Sequence, residues 1–234
     1  MRVRGLAALL LAMALGACSV PVAQGPDMGL PSGPRPQAEV AAQRFVNVVK
    51  VVKPVAEREC RQHGNRRNCN FIIAVDDRPE QPVNAFQSID ASGRPVIVFT
   101  LSLIADVANE DELAFIMSHE AAHHILDHLS RQQVNAEAGA VILGSLARAS
   151  GADITSVELA TRIGATVGAR NYSKDYELEA DALGAQIAQR AGFDALRGAL
   201  YFTRIPDPGD RFLGTHPPNA SRMDVVRRSV AIGF

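Results

Sequence analysis

The chain lacks an excess of charge of either sign, a long hydrophobic run and more than a few cysteines. Lys and Arg number 24 against 25 Asp and Glu, which gives a formal net charge of −1. This balance argues against a nucleic-acid partner, because proteins engage nucleic acids through clustered positive charge. With 47% apolar and 21% charged residues in 234 positions, the composition predicts one globular domain with a sizeable core.

The apolar run at the N-terminus is too short to cross a membrane. Arg2 and Arg4 precede the apolar residues 6–15, whereas a spanning helix needs about 20 such residues. Cys18 follows shortly after, so residues 1–17 are predicted to be a secretory signal. The segment resembles a bacterial lipoprotein signal, in which Cys18 becomes the lipidated first residue of the mature protein. The alternative is an ordinary signal peptide with an incidental cysteine.

Residues 19–36 are rich in proline, glycine and small polar side chains. This composition is typical of an extended linker, so we expect residues 18–36 to tether the lipid to a folded domain over residues 37–234. The expected location is the periplasm, with the membrane reached through the N-terminal lipid. Ser19 favours the inner leaflet of the outer membrane, by resemblance to enterobacterial lipoproteins that carry aspartate there for inner-membrane retention.

Cys60 and Cys69 are the other two cysteines of the chain. Exported proteins meet an oxidising compartment, so a disulfide between them is expected. A metal site built from Cys60, His63 and Cys69 is a weaker alternative, because no fourth ligand stands nearby. A third possibility is that both cysteines are free thiols.

Helix and strand signals predict an α+β fold that is mostly helical, with a small, largely antiparallel sheet beside one central helix. Asn109 followed by Glu112 is typical of the start of that helix. Alternating or continuous apolar runs and periodic apolar faces place the other elements. The predicted strands are 70–75, 83–87 and 95–100, and the predicted helices are 38–55, 109–128, 135–148, 154–169 and 173–191.

His119 and His123 lie four residues apart on the predicted central helix and therefore share a face. Two imidazoles so placed can hold one metal ion, and Glu120, about 100° round the helix, can serve as a base beside it. This is the residue set of a hydrolytic zinc site. The pattern is short, and the alternative is a solvated helix with two incidental histidines. The helix is apolar nearly all round, however, and buried histidines need partners.

Glu177 and Asp181 share a face of a later helix and supply a candidate third ligand. Ala180 and Ala182 keep that helix slim, so it can approach the central helix closely. Glu177 could then reach the metal, while Asp181 accepts the free ring N–H of a ligating histidine. A solvated acidic helix face is the alternative.

These ordered motifs resemble one family, the HtpX, Oma and CaaX-prenyl-protease (Ste-type) gluzincin metallopeptidases, in their compact periplasmic lipoprotein branch. The H-E-x-x-H pattern at 119–123 is followed by E-x-x-x-D at 177–181, as in that family. Thr215, His216, Pro217 and Pro218, with Arg222, resemble its C-terminal motif. Residues 84–86 and 96–100 resemble the edge-strand segment that precedes its active helix. The chain departs from the family at Ala122, where glycine is common, and at the extra His124, which we expect to be structural.

The resemblance implies one Zn²⁺ per chain, held by His119, His123 and Glu177, with Glu120 as the general base and Asp181 orienting a histidine. His216 would either steady the oxyanion or cap the zinc in a latent state. The resemblance also implies an edge strand that pairs with the substrate, formed by Val96, Ile97, Val98, Phe99 and Thr100.

The expected function is that of a zinc metalloendopeptidase of the bacterial cell envelope, which cleaves unfolded or misassembled envelope proteins. Strand pairing reads backbone shape more than sequence, which suits such substrates. The alternative is a latent or non-catalytic zinc-binding lipoprotein that acts as an envelope chaperone or assembly factor. Glu120 favours the enzyme, because a structural site closed by four ligands needs no base.

Overall fold

The computed structural model describes residues 37–63, 67–78, 80–210, 214 and 216–232. The predicted signal peptide, the tether and the lipidated Cys18 lie outside these residues and stay predictions. Most of the described chain is helical, and the α+β fold class is confirmed. The elements are α1 (Gln37–Gln62), β1 (Ile72–Asp76), β2 (Ala85–Ile89), β3 (Pro95–Thr100), α2 (Leu101–Asp106), α3 (Glu110–Ile125), α4 (His128–Ala149), α5 (Ile154–Asn171), α6 (Ser173–Arg190), α7 (Ala195–Ala199), a 3₁₀ turn (Leu200–Thr203) and α8 (Asn219–Ala231).

The sheet is mixed rather than largely antiparallel. Its strand order is β1-β3-β2, with β1 parallel and β2 antiparallel to β3. The prediction that β3 is the exposed edge is therefore wrong: both of its sides are paired, and Ile97 and Phe99 are fully buried. The five residues predicted to form that edge, and now placed in the central strand, are Val96, Ile97, Val98, Phe99 and Thr100. Among the described residues, the strands with an unpaired edge are β1 and β2.

Helix α3 forms the centre of the domain, and its start is fixed by side-chain caps. The Asn109 side chain accepts the backbone N–H of Glu112 at 3.0 Å, and the Glu112 carboxylate accepts the N–H of Ala108 at 2.8 Å. Three acidic residues in the first turn also complement the positive end of the helix dipole. Helices α1, α6 and α7 cover α3, which explains why its side chains are buried nearly all round.

Small residues let α6 approach α3 until their backbones nearly touch. A Cβ at Gly184 would lie 2.9 Å from both N and Cα of His119, closer than real side chains come. Ala180 on α6 and Ala121 and Ala122 on α3 are completely buried in the same region. The close approach brings the carboxylates of α6 within reach of the histidines of α3.

A turn with one left-handed residue separates α3 from α4. Asp127 has φ +62°, a conformation that Asp tolerates better than most residues. Arg67 supports the turn: its guanidinium pairs with Asp127 at 2.9 Å and donates to the carbonyl oxygens of His124 and Ile125. Helix α4 then begins, with His128 as its first residue.

Helices α4 and α5 form a hairpin that packs chiefly on itself. A Cβ at Gly139 would overlap the carbonyl oxygen of Gly164, so glycine is required where the two helices touch. Large apolar side chains face outward and are exposed, namely Val134, Val141, Ile142, Leu146, Ile154, Leu159 and Ile163. Among the described residues, no helix is both long enough and apolar enough to cross a membrane.

Cys60, near the end of α1, forms a disulfide with Cys69, just before β1. The two Cα atoms are 5.6 Å apart, within the ordinary range for such bonds, and both residues are buried. The bond fixes the end of α1 against the start of the sheet.

Candidate metal centre

Three side chains from α3 and α6 point their donor atoms at one another. Nε2 of His119 lies 3.0 Å from Nε2 of His123, and these atoms lie 3.5 and 3.3 Å from the two carboxylate oxygens of Glu177. Ligands in a tetrahedron with bonds of about 2.0–2.1 Å stand about 3.3 Å apart. The triangle therefore fits three ligands of a zinc-sized ion, and among the described residues it is the group that could hold a metal.

The proton on His119 is fixed by the groups behind it. Its Nδ1 lies 2.9 Å from Oδ1 of Asp181, whose carboxylate accepts two hydrogen bonds of 2.7 Å from Arg222. A carboxylate paired in this way is ionised and only accepts, so Nδ1 of His119 carries the proton. In the neutral ring Nε2 then presents a lone pair to the centre, as a metal ligand must.

The charges around the centre favour a cation. Burial by itself lowers the pKa of His119, but the hydrogen bonds to Asp181 and Glu177 raise it to about 10. Burial also opposes ionisation of Glu177, yet hydrogen bonds from His119, His123 and His216 hold its pKa well below the usual range. The carboxylates of Asp181 and Glu177 thus favour positive charge at the centre. A divalent cation bound between neutral imidazoles would supply that charge in place of the histidine protons.

Glu120 lies at the junction of two cavities of about 420 and 300 Å³, which together form a groove over the centre. The larger cavity, the apolar half of the groove, has mostly apolar walls, whereas the smaller one, the polar half, has polar and apolar walls in similar amounts. Burial raises the pKa of Glu120 where the two halves meet. A carboxylate with a raised pKa is a stronger base than a solvated one. The apolar half includes Leu103, Phe115, Ile116, Tyr201, Phe202 and Ile205; the polar half includes Gln87, His123, His128, Gln132, Ser173 and Tyr176.

The free edge of β2 borders this groove. Asn84 and Ala85 line both halves. The N–H of Thr100 donates to the carbonyl of Asn84, and bonding alternates along an antiparallel pair, so the backbone groups of Ala85 and Gln87 point away from β3. These groups are free to pair with another extended chain. Sequence reasoning noticed residues 84–86, but strand order cannot be read from apolar patterning.

The remaining histidines occupy distinct places. His216 is half exposed, lines both halves of the groove and lies with Nδ1 3.1 Å from Oε2 of Glu177. It contacts a member of the three-donor group rather than belonging to it. His124 turns away: its Nε2 lies 2.8 Å from the carbonyl of Asn68, and burial lowers its pKa.

A second group of side chains, His128, Glu179 and Arg131, lies behind the centre, and sequence reasoning did not connect these residues. His128 contacts His123, and Glu179 joins His128 to Arg131. Burial lowers the pKa of His128 to about 4, so its ring is neutral. His128 is five positions after His123, and Glu179 is two positions after Glu177; residues at these spacings do not share a face of a continuous helix. The E-x-E-x-D run was the signal available, and it reads more simply as a solvated face.

A helical α+β domain with two histidines, a glutamate and a neighbouring base in a groove is the arrangement of a metallopeptidase. Residues 42–230 match the model of peptidase family M48. The chain therefore belongs to the M48 family of metallopeptidases, as the sequence motifs predicted.

Curated relatives from bacteria and mitochondria are similar to this chain. The β-barrel assembly-enhancing protease of Escherichia coli K12 is 32% identical over 174 residues, covering 67% of this chain and 33% of that protein. The protein of the same name from Yersinia pestis is 29% identical over 171 residues (68% and 34%). Bovine mitochondrial metalloendopeptidase OMA1 is 26% identical over 203 residues (80% and 37%). The chain thus spans about a third of the length of these relatives.

Proposed function

We propose that this M48 member is a zinc-dependent endopeptidase of the bacterial cell envelope, which cleaves unfolded or misassembled envelope proteins. The observation that carries the proposal is the three-donor triangle beside Glu120, in a groove bordered by a free strand edge. The envelope location is supported by the lipoprotein-like N-terminus, with Cys18 as the anchor and the inner leaflet of the outer membrane as the expected site. It is also supported by similarity to proteases whose names refer to β-barrel assembly.

In this mechanism His119, His123 and Glu177 would hold the zinc. The ion would supply Lewis acidity, which makes water a stronger acid and draws electron density from the scissile carbonyl. Glu120 accepts the proton of the attacking water and delivers it to the leaving amine. Asp181 holds the proton of His119 on Nδ1, and His216 is placed to donate a ring N–H to the carbonyl oxygen as negative charge develops there.

The substrate lies extended along the free edge of β2. Its backbone pairs with the outward N–H and C=O groups of Ala85 and Gln87, which carries it across both halves of the groove past Glu120. A segment whose backbone is already bonded within a helix or an inner strand cannot pair in this way, whereas an unfolded segment can. This requirement is the physical basis for proposing unfolded proteins as substrates.

Removing the metal is expected to abolish cleavage of an unfolded test protein such as casein. The 234-residue chain, treated with a zinc chelator and freed of it by dialysis, should regain full activity with one equivalent of Zn²⁺. Elemental analysis before chelation should find one zinc per chain. Full activity in zinc-free protein would rule out the proposal. One zinc without cleavage would favour the non-catalytic alternative. The variant His216→Ala would then decide between two cases: it should activate an enzyme whose zinc is capped by His216, and it should leave a non-catalytic binding module inactive.

The apolar half of the groove is expected to select a large apolar side chain on one side of the scissile bond. Ile205 is half-buried in this half, on a segment outside the helices and strands. Ile205→Glu should lower kcat/KM for peptides with Leu or Phe at that position by about tenfold or more, and should favour Lys instead. Leu200→Glu is the matched control, because Leu200 is exposed outside the groove. Equal peptide preferences in both variants would contradict this assignment.

A further inference from the structure

The second ligating histidine, His123, is held from behind by a relay of side chains that crosses three helices. Its Nδ1 lies 2.8 Å from Nδ1 of His128, at the start of α4. Nε2 of His128 lies 3.1 Å from Oε2 of Glu179 on α6. Arg131 closes the relay with hydrogen bonds of 2.6 and 3.2 Å to the two oxygens of Glu179. Each ligating histidine is thus connected through its far nitrogen to a carboxylate on α6.

The direction of every proton in the relay follows from its outer end. The two-point pair with Arg131 identifies Glu179 as an ionised carboxylate, which can only accept hydrogen bonds. Nε2 of His128 must therefore donate, which leaves its Nδ1 as a lone pair in the neutral ring. Nδ1 of His123 must then donate to it. The consequence is that Nε2 of His123 carries no proton and faces Nε2 of His119 and Glu177 as a ligand.

The relay is also held rigidly in place. The ring of His128 stacks on Tyr176, with centroids 4.8 Å apart and planes 14° from parallel. The guanidinium of Arg131 lies 4.2 Å from the centre of the same Tyr176 ring, and Asn135 donates to the Tyr176 hydroxyl at 2.7 Å. The turn at Asp127 places His128 against His123, because in a continuous helix five residues would carry it about 140° away.

We propose that Glu179 is a positioning residue, which acts through His128 to fix the ring orientation and the proton of His123 for metal binding. The inference rests on the proposed zinc site. Groups that orient a ligating histidine contribute about 10–100-fold to metal affinity. Asp181 has the same relation to His119 directly, whereas Glu179 needs His128 as a bridge because it lies on another face of α6.

The test is the zinc affinity of the full chain, measured by competition with a chromophoric chelator. Glu179→Met removes the acceptor and keeps the side-chain length, and it should raise the zinc dissociation constant about 10–100-fold. Glu179→Gln keeps an oxygen that can accept from His128, and it should recover most of the affinity. Glu158→Met, at an exposed glutamate on α5, is the matched control and should leave the affinity unchanged. Should Glu179→Met fail to fold, Glu179→Ala removes the same acceptor.

A second readout separates positioning from a merely structural ion pair. In zinc-loaded protein with ¹⁵N-labelled histidine, the ring spectra of the 6 histidines report which nitrogen carries each proton. The His123 signals should sharpen to a single tautomer in wild type and change in Glu179→Met. If Glu179 served only as the ion-pair partner of Arg131, Glu179→Gln would be as harmful as Glu179→Met. Both variants would then lower the thermal stability and leave the zinc affinity unchanged. Unchanged zinc affinity in Glu179→Met overturns the inference, whereas absence of zinc binding by wild type overturns the proposed function with it.

Discussion

Glu120→Gln is expected to lower kcat for cleavage of an unfolded protein by about 10²–10⁴-fold, with zinc content unchanged. The amide has nearly the size of the carboxylate but cannot accept the proton of the attacking water. Glu120 is not one of the three donors that face the centre, so the metal should stay bound. The measurement is kcat on casein at saturation, beside zinc analysis of the same preparation.

The absence of tryptophan makes the matching binding measurement simple. The chain contains no Trp, so the emission of a Trp-containing peptide reports its binding without background. Glu120→Gln should bind such a peptide as wild type does, and Glu110→Gln, at an exposed residue in the first turn of α3, should behave as wild type in every assay. Cleavage by Glu120→Gln within tenfold of wild type would exclude Glu120 as the base. Loss of zinc would make it a ligand instead.

Arg222→Leu is expected to reduce the free energy of unfolding by about 3–5 kcal/mol, because it leaves a buried carboxylate without its partner. Asp181 is fully buried, and Arg222 donates to both of its oxygens while lying 3.8 Å from the ring centre of Phe202. For a domain of this size the loss corresponds to a fall in Tm of roughly 6–20 °C. Denaturant titration of wild type and variant provides the measurement.

Arg227→Leu on the same helix is the control for this prediction. Arg227 pairs with Asp224 in solvent, and such pairs contribute about 0–1 kcal/mol. The double variant Asp181→Leu with Arg222→Leu should recover much of the stability, since no buried charge is left, but not the zinc affinity, since His119 loses its acceptor. A loss for Arg222→Leu as small as that for Arg227→Leu would mean that Asp181 is not a buried ionised group.

Residues related by spacing within one helix were predictable, and those related through strand order or a turn were not. His119 with His123, and Glu177 with Asp181, share faces by helical geometry alone, and the structure brings them together. The apolar run of β3 predicted that this strand is buried. It could not reveal that β1 and β2 pair with its two sides, so that β2 is the edge strand beside the site.

The start of α4 illustrates the same limit. The sequence predicted a helix from residue 135, whereas α4 begins at His128. The turn before it uses Asp127 in the left-handed region, where no glycine or proline marks the break. The contact of Glu179 with His128 depends on this turn and on the packing of α6, and neither has a signature in local periodicity.

The glycine-packed hairpin of α4 and α5 leaves the metal centre and returns to it at nearly the same point. Asn135 on the outgoing helix bonds to Tyr176 just after the return, and Gly139 and Gly164 touch between them. The part of the hairpin beyond this contact therefore begins and ends at adjacent points, and we expect a short turn to be able to replace it. We expect that whole helical turns added or removed beyond the contact of Gly139 with Gly164 would leave the donor atoms in place and would change the exposed apolar surface of the hairpin.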